Sequence, residues 1–269
     1  MARLEVGGAV ELEVRLSDER PPRPGGWTAL YLHGFGSRQA GDKATYFRER
    51  LRAENIPFCS FDFRGHGASG GVLGELTFSR SLEDLARVRA WLAERGHERI
   101  VLFGSSMGGA TALAGAARDP TGVAACLLIA PAVGMAAGLE RWAGAERLER
   151  WRREGRIRFE NELVETDLAW EIVSDLRRHD FRALARDLSV PTLIVQGGSD
   201  ASVAPGDVLD FVAATRPGVV DLTLWGDGDH RLLDRKDEIW ARMRAFLVRR
   251  GLLGGEGAGP PAPPSRRDG

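Results

Sequence analysis

Short apolar runs recur along the chain, and most are closed by glycine. They cover 28–32, 58–63, 100–103, 124–129, 192–195 and 220–225, ending at His33-Gly34, Arg64-Gly65, Gly104, Ala130-Pro131, Gly197-Gly198 and Gly226. Short apolar runs closed by glycine are the pattern of strands buried on both faces. Between them lie amphipathic stretches of helical length, at 43–54, 81–95, 111–118, 207–214 and 237–249. Strand alternating with helix predicts an α/β fold with a mostly parallel sheet covered on both faces. The first residues, MARLEVGGAVELEV, alternate apolar and charged positions around Gly7-Gly8 and predict an edge hairpin. From 138 to 188 the rhythm stops. Dense charge, Trp142, Trp151, Phe159, Trp170 and Phe181, and no convincing strand predict an inserted helical cap. The expected organisation is a core of 1–137 and 189–250, a cap at 138–188, and a disordered Gly/Pro-rich tail at 251–269.

Composition changes this picture little. At 269 residues, one well-buried domain is expected. The 37 basic and 38 acidic residues nearly cancel, which argues against a nucleic-acid or membrane-surface binder. All but Lys43 and Lys236 of the basic residues are arginine, a bias that reads as genomic. Cys59 and Cys126 fall inside apolar runs and read as small buried hydrophobes, in keeping with a reducing compartment. With no signal-peptide pattern and no apolar stretch of membrane-spanning length, a soluble, cytoplasmic protein is expected, as monomer or homodimer.

The chemistry gathers at the ends of the strands. Gly104-Ser105-Ser106-Met107-Gly108 follows the run IVLF and opens a helical stretch, the context that G-x-S-x-G requires of a nucleophile at a sharp strand-to-helix turn. That frame selects Ser106, because Phe103 would occupy a small-residue position if Ser105 were the nucleophile. An oxyanion hole needs two converging N–H groups, and these are expected from Met107 and from Phe35 in His33-Gly34-Phe35-Gly36-Ser37. Among the five histidines, His97 reads as solvent-exposed, His179 as a cap residue, His66 as loop packing or substrate rim, and His33 as a structural hydrogen-bonding group before its loop. His230 follows the last strand and comes after both serine and acid, so it is the expected general base. Asp200, closing Gln196-Gly197-Gly198-Ser199-Asp200, is the expected orienting acid, while Asp227 and Asp229 shape the turn before His230. His33 and Gly34 also flank the expected substrate position, and Trp142 and Trp170 of the cap would wall an acyl group. No metal-ligand spacing and no nucleotide-binding glycine loop is present in the sequence. Serine rather than aspartate at 106 points to acyl transfer.

On these motifs the chain resembles the α/β-hydrolase superfamily over residues 1–250. His33-Gly34-Phe35-Gly36, Gly104-Ser105-Ser106-Met107-Gly108, Gly198-Ser199-Asp200 and Asp229-His230 stand in that family's order. The stretches LHGFGSRQAGDKATYF, VPTLIVQGGSD and GDGDHRL are similar to the palmitoyl-protein thioesterase and acyl-glucuronide esterase branch and its bacterial relatives. The resemblance implies a mostly parallel eight-stranded sheet with a helical cap. It further implies cleavage of small carboxylic esters or acyl thioesters without a cofactor. Serine aminopeptidase and monoacylglycerol lipase branches share the motif set, and Glu160, Glu162, Glu165 and Asp167 could hold a peptide ammonium. A catalytically silent binding protein is the reading from another class.

Overall fold

The computed structural model describes residues 1–7 and 10–254. In chain order it contains strands β1 (Ala2–Val6), β2 (Val10–Leu16) and β3 (Thr28–Leu32), helix α1 (Asp42–Ala53), β4 (Phe58–Phe61), α2 (Phe78–Ala93), β5 (Ile100–Ser105) and α3 (Met107–Arg118). There follow β6 (Val123–Ile129), α4 (Met135–Glu154), β7 (Arg156–Glu160), β8 (Glu165–Ala169), α5 (Glu171–Leu176) and α6 (Phe181–Asp187). The last elements are β9 (Thr192–Gly197), α7 (Pro205–Ala214), β10 (Val220–Trp225) and α8 (Lys236–Arg249).

One eight-stranded sheet has the order β1-β2-β4-β3-β5-β6-β9-β10. The six apolar runs form its parallel part, and β1 and β2 add an antiparallel edge through Leu16↔Cys59 and its neighbours. Both faces are buried, so the side chains divide by parity. Leu30, Leu32, Leu102, Cys126, Leu128 and Ile194 face α2, α3 and α7, whereas Ala29, Tyr31, Val101, Phe103, Leu127 and Val195 face α1 and α8. The free thiols of Cys59 and Cys126 lie within these layers, and burial pushes the Cys126 thiol up to about 12. Small residues in α3 (MGGATALAGAAR) let that helix lie close behind β5.

Two expectations need correction. The 138–188 segment is not wholly helical: β7 and β8 form an antiparallel hairpin between α4 and α5. Its Ile157 and Phe159 turn inward, Arg156, Arg158 and Glu160 turn to water, and Arg158 pairs with Glu165 across the strands. Asn161 Oδ1 accepts from the N–H groups of Leu163 and Val164 and closes the turn. The packed core also continues past 250. Leu252 is buried and its carbonyl accepts from Trp27 Nε1 at 2.7 Å, while the rest of the expected tail, 255–269, lies outside the described residues.

Candidate active site

β5 runs into α3 through a single residue, Ser106, at φ 54° and ψ −121°. A non-glycine residue there carries about 1–3 kcal/mol of backbone strain, held in place by the surrounding structure. The bracing is visible: Ser106 N–H donates to Ile129 O at 2.9 Å, and its carbonyl accepts from Ala110 and Ala132. The motif's glycines are steric necessities. A Cβ on Gly104 would meet Gly108 O at 2.7 Å, and one on Gly108 would meet Leu32 O at 2.3 Å.

The loop after β3 presses against this elbow, where a Cβ on Gly34 would lie 3.2 Å from Ser106 Cβ. Two histidines hold the loop. His33 Nδ1 donates to Gly34 O at 2.8 Å and its Nε2 accepts from Phe63 N–H, while His66 Nε2 accepts from Gly36 N–H at 3.0 Å. Burial drives both rings toward the neutral form, His33 to about 4 and His66 to about 3. His33 is fully buried with both nitrogens engaged, so it fixes the loop and is not open to substrate. His66, expected in loop packing or at the rim, is buried and is a direct support of the loop. With Gly36 and Ser37 N–H already bonded, the Phe35 N–H has no acceptor among the described residues. Met107 opens α3, where a first-turn N–H has no intrahelical partner.

The acid and the histidine meet on the loops after β9 and β10. A Cβ on Gly197 would lie 2.4 Å from the carbonyls of Gly228 and Asp229, so glycine there allows the two loops to nest. His230 Nδ1 then lies 2.8 Å from Asp200 Oδ2, with the imidazole about a quarter exposed. Asp200 also accepts from the N–H groups of Ser202 and Val203 and from Gln196 Nε2. Burial pushes its carboxyl up, but the hydrogen bond and charge of His230 and the two backbone amides outweigh burial and hold it below the usual range. Asp229 caps Leu232 N–H and Asp227 pairs with Arg235, so both shape the turn as expected. Among the described residues the Ser106 hydroxyl has no hydrogen bond to His230, a contact that in substrate-free hydrolases often tightens only on binding.

The inserted segment reaches the site through its hairpin. Leu163 and Val164 sit over Gly36, and Phe35 lies edge-on between the rings of His66 and Phe159. Phe159 packs at a tilt against Trp142, with ring centroids 5.0 Å apart, and Trp142 meets the fully buried Trp151. Trp170 touches Trp151 on its other side and is therefore packed within the segment, two rings further from Phe35 than Trp142. The aromatic character of Phe159 was visible in the sequence, but its proximity to Phe35 was not.

His97, expected at the surface, is 1% exposed with Nδ1 2.8 Å from Thr28 Oγ1. His179 belongs to a second Ser/His/Asp group of the wrong polarity. Arg118 donates to His179 Nδ1, and Ser79 gives its hydroxyl proton to Asp175. No group of three or more histidine, cysteine or acidic residues among the described residues could hold a metal ion, and no helix there is long and apolar enough to cross a membrane.

Comparison with known proteins places the fold among solved and curated hydrolases. Mouse palmitoyl-protein thioesterase ABHD10, mitochondrial, is 25% identical over 214 residues, covering 77% of this chain and 70% of its own. A protein of Agrobacterium vitis S4, described no further than as a hydrolase, superposes with a TM-score of 0.79 at 29% identity over 91% of this chain and 97% of its own. At 20% and 18% identity, mouse ABHD10 (TM-score 0.78, 92% and 98% covered) and ferulic-acid-bound Est1E of Butyrivibrio proteoclasticus (TM-score 0.76, 92% and 100%) share the fold. Residues 27–163, half of the chain, match the family described as serine aminopeptidase, S33. The elbow, the loop beside it and the strands β3 and β5 that carry them fall within that match, and the chain belongs to this family of α/β-hydrolases.

Proposed function

We propose that the chain hydrolyses small carboxylic esters or acyl thioesters through an acyl-enzyme on Ser106. The observation that carries this reading is the 2.8 Å contact of His230 Nδ1 with the buried, ionised Asp200, on loops that converge on the same sheet edge as the strained serine. Ser106 Oγ attacks the acyl carbon as His230 Nε2 takes the hydroxyl proton, and Asp200 stabilises the resulting imidazolium. The N–H groups of Phe35 and Met107 hold the oxyanion. The tetrahedral intermediate collapses as His230 returns the proton to the leaving alkoxide or thiolate. Water, deprotonated by His230, then attacks the acyl carbon and frees Ser106. Phe35, Phe159 and Trp142 would wall the acyl group, and no cofactor is needed.

Ester or thioester cleavage is preferred over peptide cleavage because three of the four acidic residues expected to hold a peptide ammonium are engaged in ion pairs. Glu165 and Asp167 pair with Arg158, and Glu162 pairs with Arg231. The test is a hydrolysis profile of wild type and Ser106→Ala over p-nitrophenyl esters, acyl-CoAs and proline-p-nitroanilide. Wild type should turn over esters or acyl-CoAs, and the variant should lose on the order of 10⁶ in kcat. Turnover of the anilide alone would overturn the substrate class, and an active Ser106→Ala would overturn the mechanism.

A further inference from the structure

In a chain whose 37 basic residues include only two lysines, the lysine at 43 is placed behind the elbow. It is the second residue of α1, and its Nζ donates to Ser105 Oγ at 3.0 Å. Ser105 is the last residue of β5 and the immediate neighbour of the nucleophile. Other groups also act on the ammonium. Asp200, from the loop after β9, and Asp229, from the loop after β10, favour its charge, whereas Arg231 beside His230 opposes it. Arg231 in turn pairs with Asp42, Lys43's neighbour on α1, at 3.8 Å. The start of α1 is therefore tied to the end of β5 through Lys43 and to the residue after His230 through Asp42.

Resting on the serine-hydrolase reading, we propose that Lys43 is a positioning residue that clamps the elbow to α1, where the neighbouring Asp42 pairs with Arg231 of the histidine-bearing loop. Lysine suits the place better than arginine. A compact ammonium can be shared between one hydroxyl and nearby carboxylates, whereas a planar guanidinium needs five donors satisfied. Burial, followed by the repulsion of Arg231, lowers the Lys43 ammonium to about 8, against the pull of Asp229 and Asp200. The sign follows: the clamp is charged below that value and is lost as pH rises through it. Wild-type kcat should therefore show an alkaline limb near pH 8.

The experiment compares pH–rate profiles of wild type, Lys43→Met, Lys43→Arg and Ser105→Ala on one p-nitrophenyl ester, with unfolding followed in parallel. Lys43→Met should lose about ten- to a hundredfold in kcat with KM unchanged, because Lys43 touches no substrate, and should lose the alkaline limb. Ser105→Ala, which keeps the ammonium, should lower kcat while retaining the limb. The double variant should lose less than the sum of the two. Lys43→Arg, charged at every pH used, should restore part of kcat and carry no limb near pH 8. Should Lys43→Met fail to fold, the arginine variant decides: persistence of the limb there overturns the assignment. Wild-type kcat and limb in Lys43→Met, beside an inactive Ser106→Ala, overturn the role of Lys43 alone. An active Ser106→Ala removes the serine reading and the clamp with it.

Discussion

Replacing Gly34 with alanine tests whether the 33–36 loop must touch the elbow. The added Cβ would stand 3.2 Å from Ser106 Cβ, 3.5 Å from Ser105 O and 3.9 Å from Ser106 Oγ. Carbon pairs rest at about 3.5–4.0 Å, so loop or elbow must give by a few tenths of an ångström. Neither side yields freely. The loop is tied by His33 to Gly34 O, by Gly36 N–H to His66 and by Ser37 N–H to Gly34 O, and Ser106 is braced on Ile129 and Ala132. Overpacking costs about 1–3 kcal/mol, while replacing glycine where the backbone permits recovers about 0.4–1 kcal/mol through the unfolded chain. Net stability should therefore fall by about 1 kcal/mol, a change of about 2–4 °C in Tm at this size. Catalysis should suffer more. A 1 Å misplacement costs about 10²-fold, so a shift of a few tenths should cost about tenfold in kcat, and the Phe35 N–H moves with the loop. The assay is kcat and KM on a p-nitrophenyl ester beside a urea unfolding curve, with Gly138→Ala as control. A Cβ on Gly138 in α4 meets nothing within 4 Å, and that variant should keep the wild-type rate. An unchanged kcat in Gly34→Ala would refute the idea that this loop is held in catalytic contact.

Ser106→Gly should relieve the positive-φ strain and raise stability by about 1 kcal/mol in urea unfolding while abolishing turnover, and a less stable variant would contradict the strain. Asp84→Ala should cost about 3 kcal/mol, because it leaves the buried Arg64, bonded to Asp84 at 2.6 and 2.8 Å, with only the exposed Glu83 as its ion-pair partner; a urea midpoint near wild type would contradict this. His33 and His66 are held neutral in the fold, so below about 6.5 the unfolded chain binds protons that the native state refuses. Stability should fall as pH drops from about 6.5 toward 4, by about 3 kcal/mol for His33 alone, visible as a declining urea midpoint. Phe159→Ala should raise KM for apolar acyl substrates several-fold and leave acetate esters nearly untouched, which a chain-length series would read.

The fold was largely legible because the central strands β3, β5, β6 and β9 are apolar runs followed closely by a small residue, although β10, VDLTLW, alternates at the sheet's edge. Gly104 and Gly197 are needed where strand ends crowd their neighbours, and Gly108 where the first turn of α3 meets the end of β3. The pairing of Asp200 with His230 was legible for the same reason, since each closes a glycine turn on neighbouring strands. Arg156-Ile157-Arg158-Phe159-Glu160 has the period-two alternation of a half-exposed strand, masked by the charge on either side. His97 sits among Glu98, Arg99 and Arg95, yet its ring turns inward to Thr28, a contact between residues 69 positions apart. The roles of His66 and Lys43 were hidden because they depend on contacts between separate elements. The scarcity of lysine was visible but read as a genomic bias, so nothing in the sequence marked position 43.

The most direct test is peptide mapping by mass spectrometry after reaction with a fluorophosphonate, on wild type and His230→Ala. An activated nucleophile predicts one adduct, on Ser106, formed rapidly in wild type and almost absent from the variant. No adduct, an adduct on Ser105, or equal labelling of the two proteins would contradict the proposal that His230 and Asp200 activate Ser106.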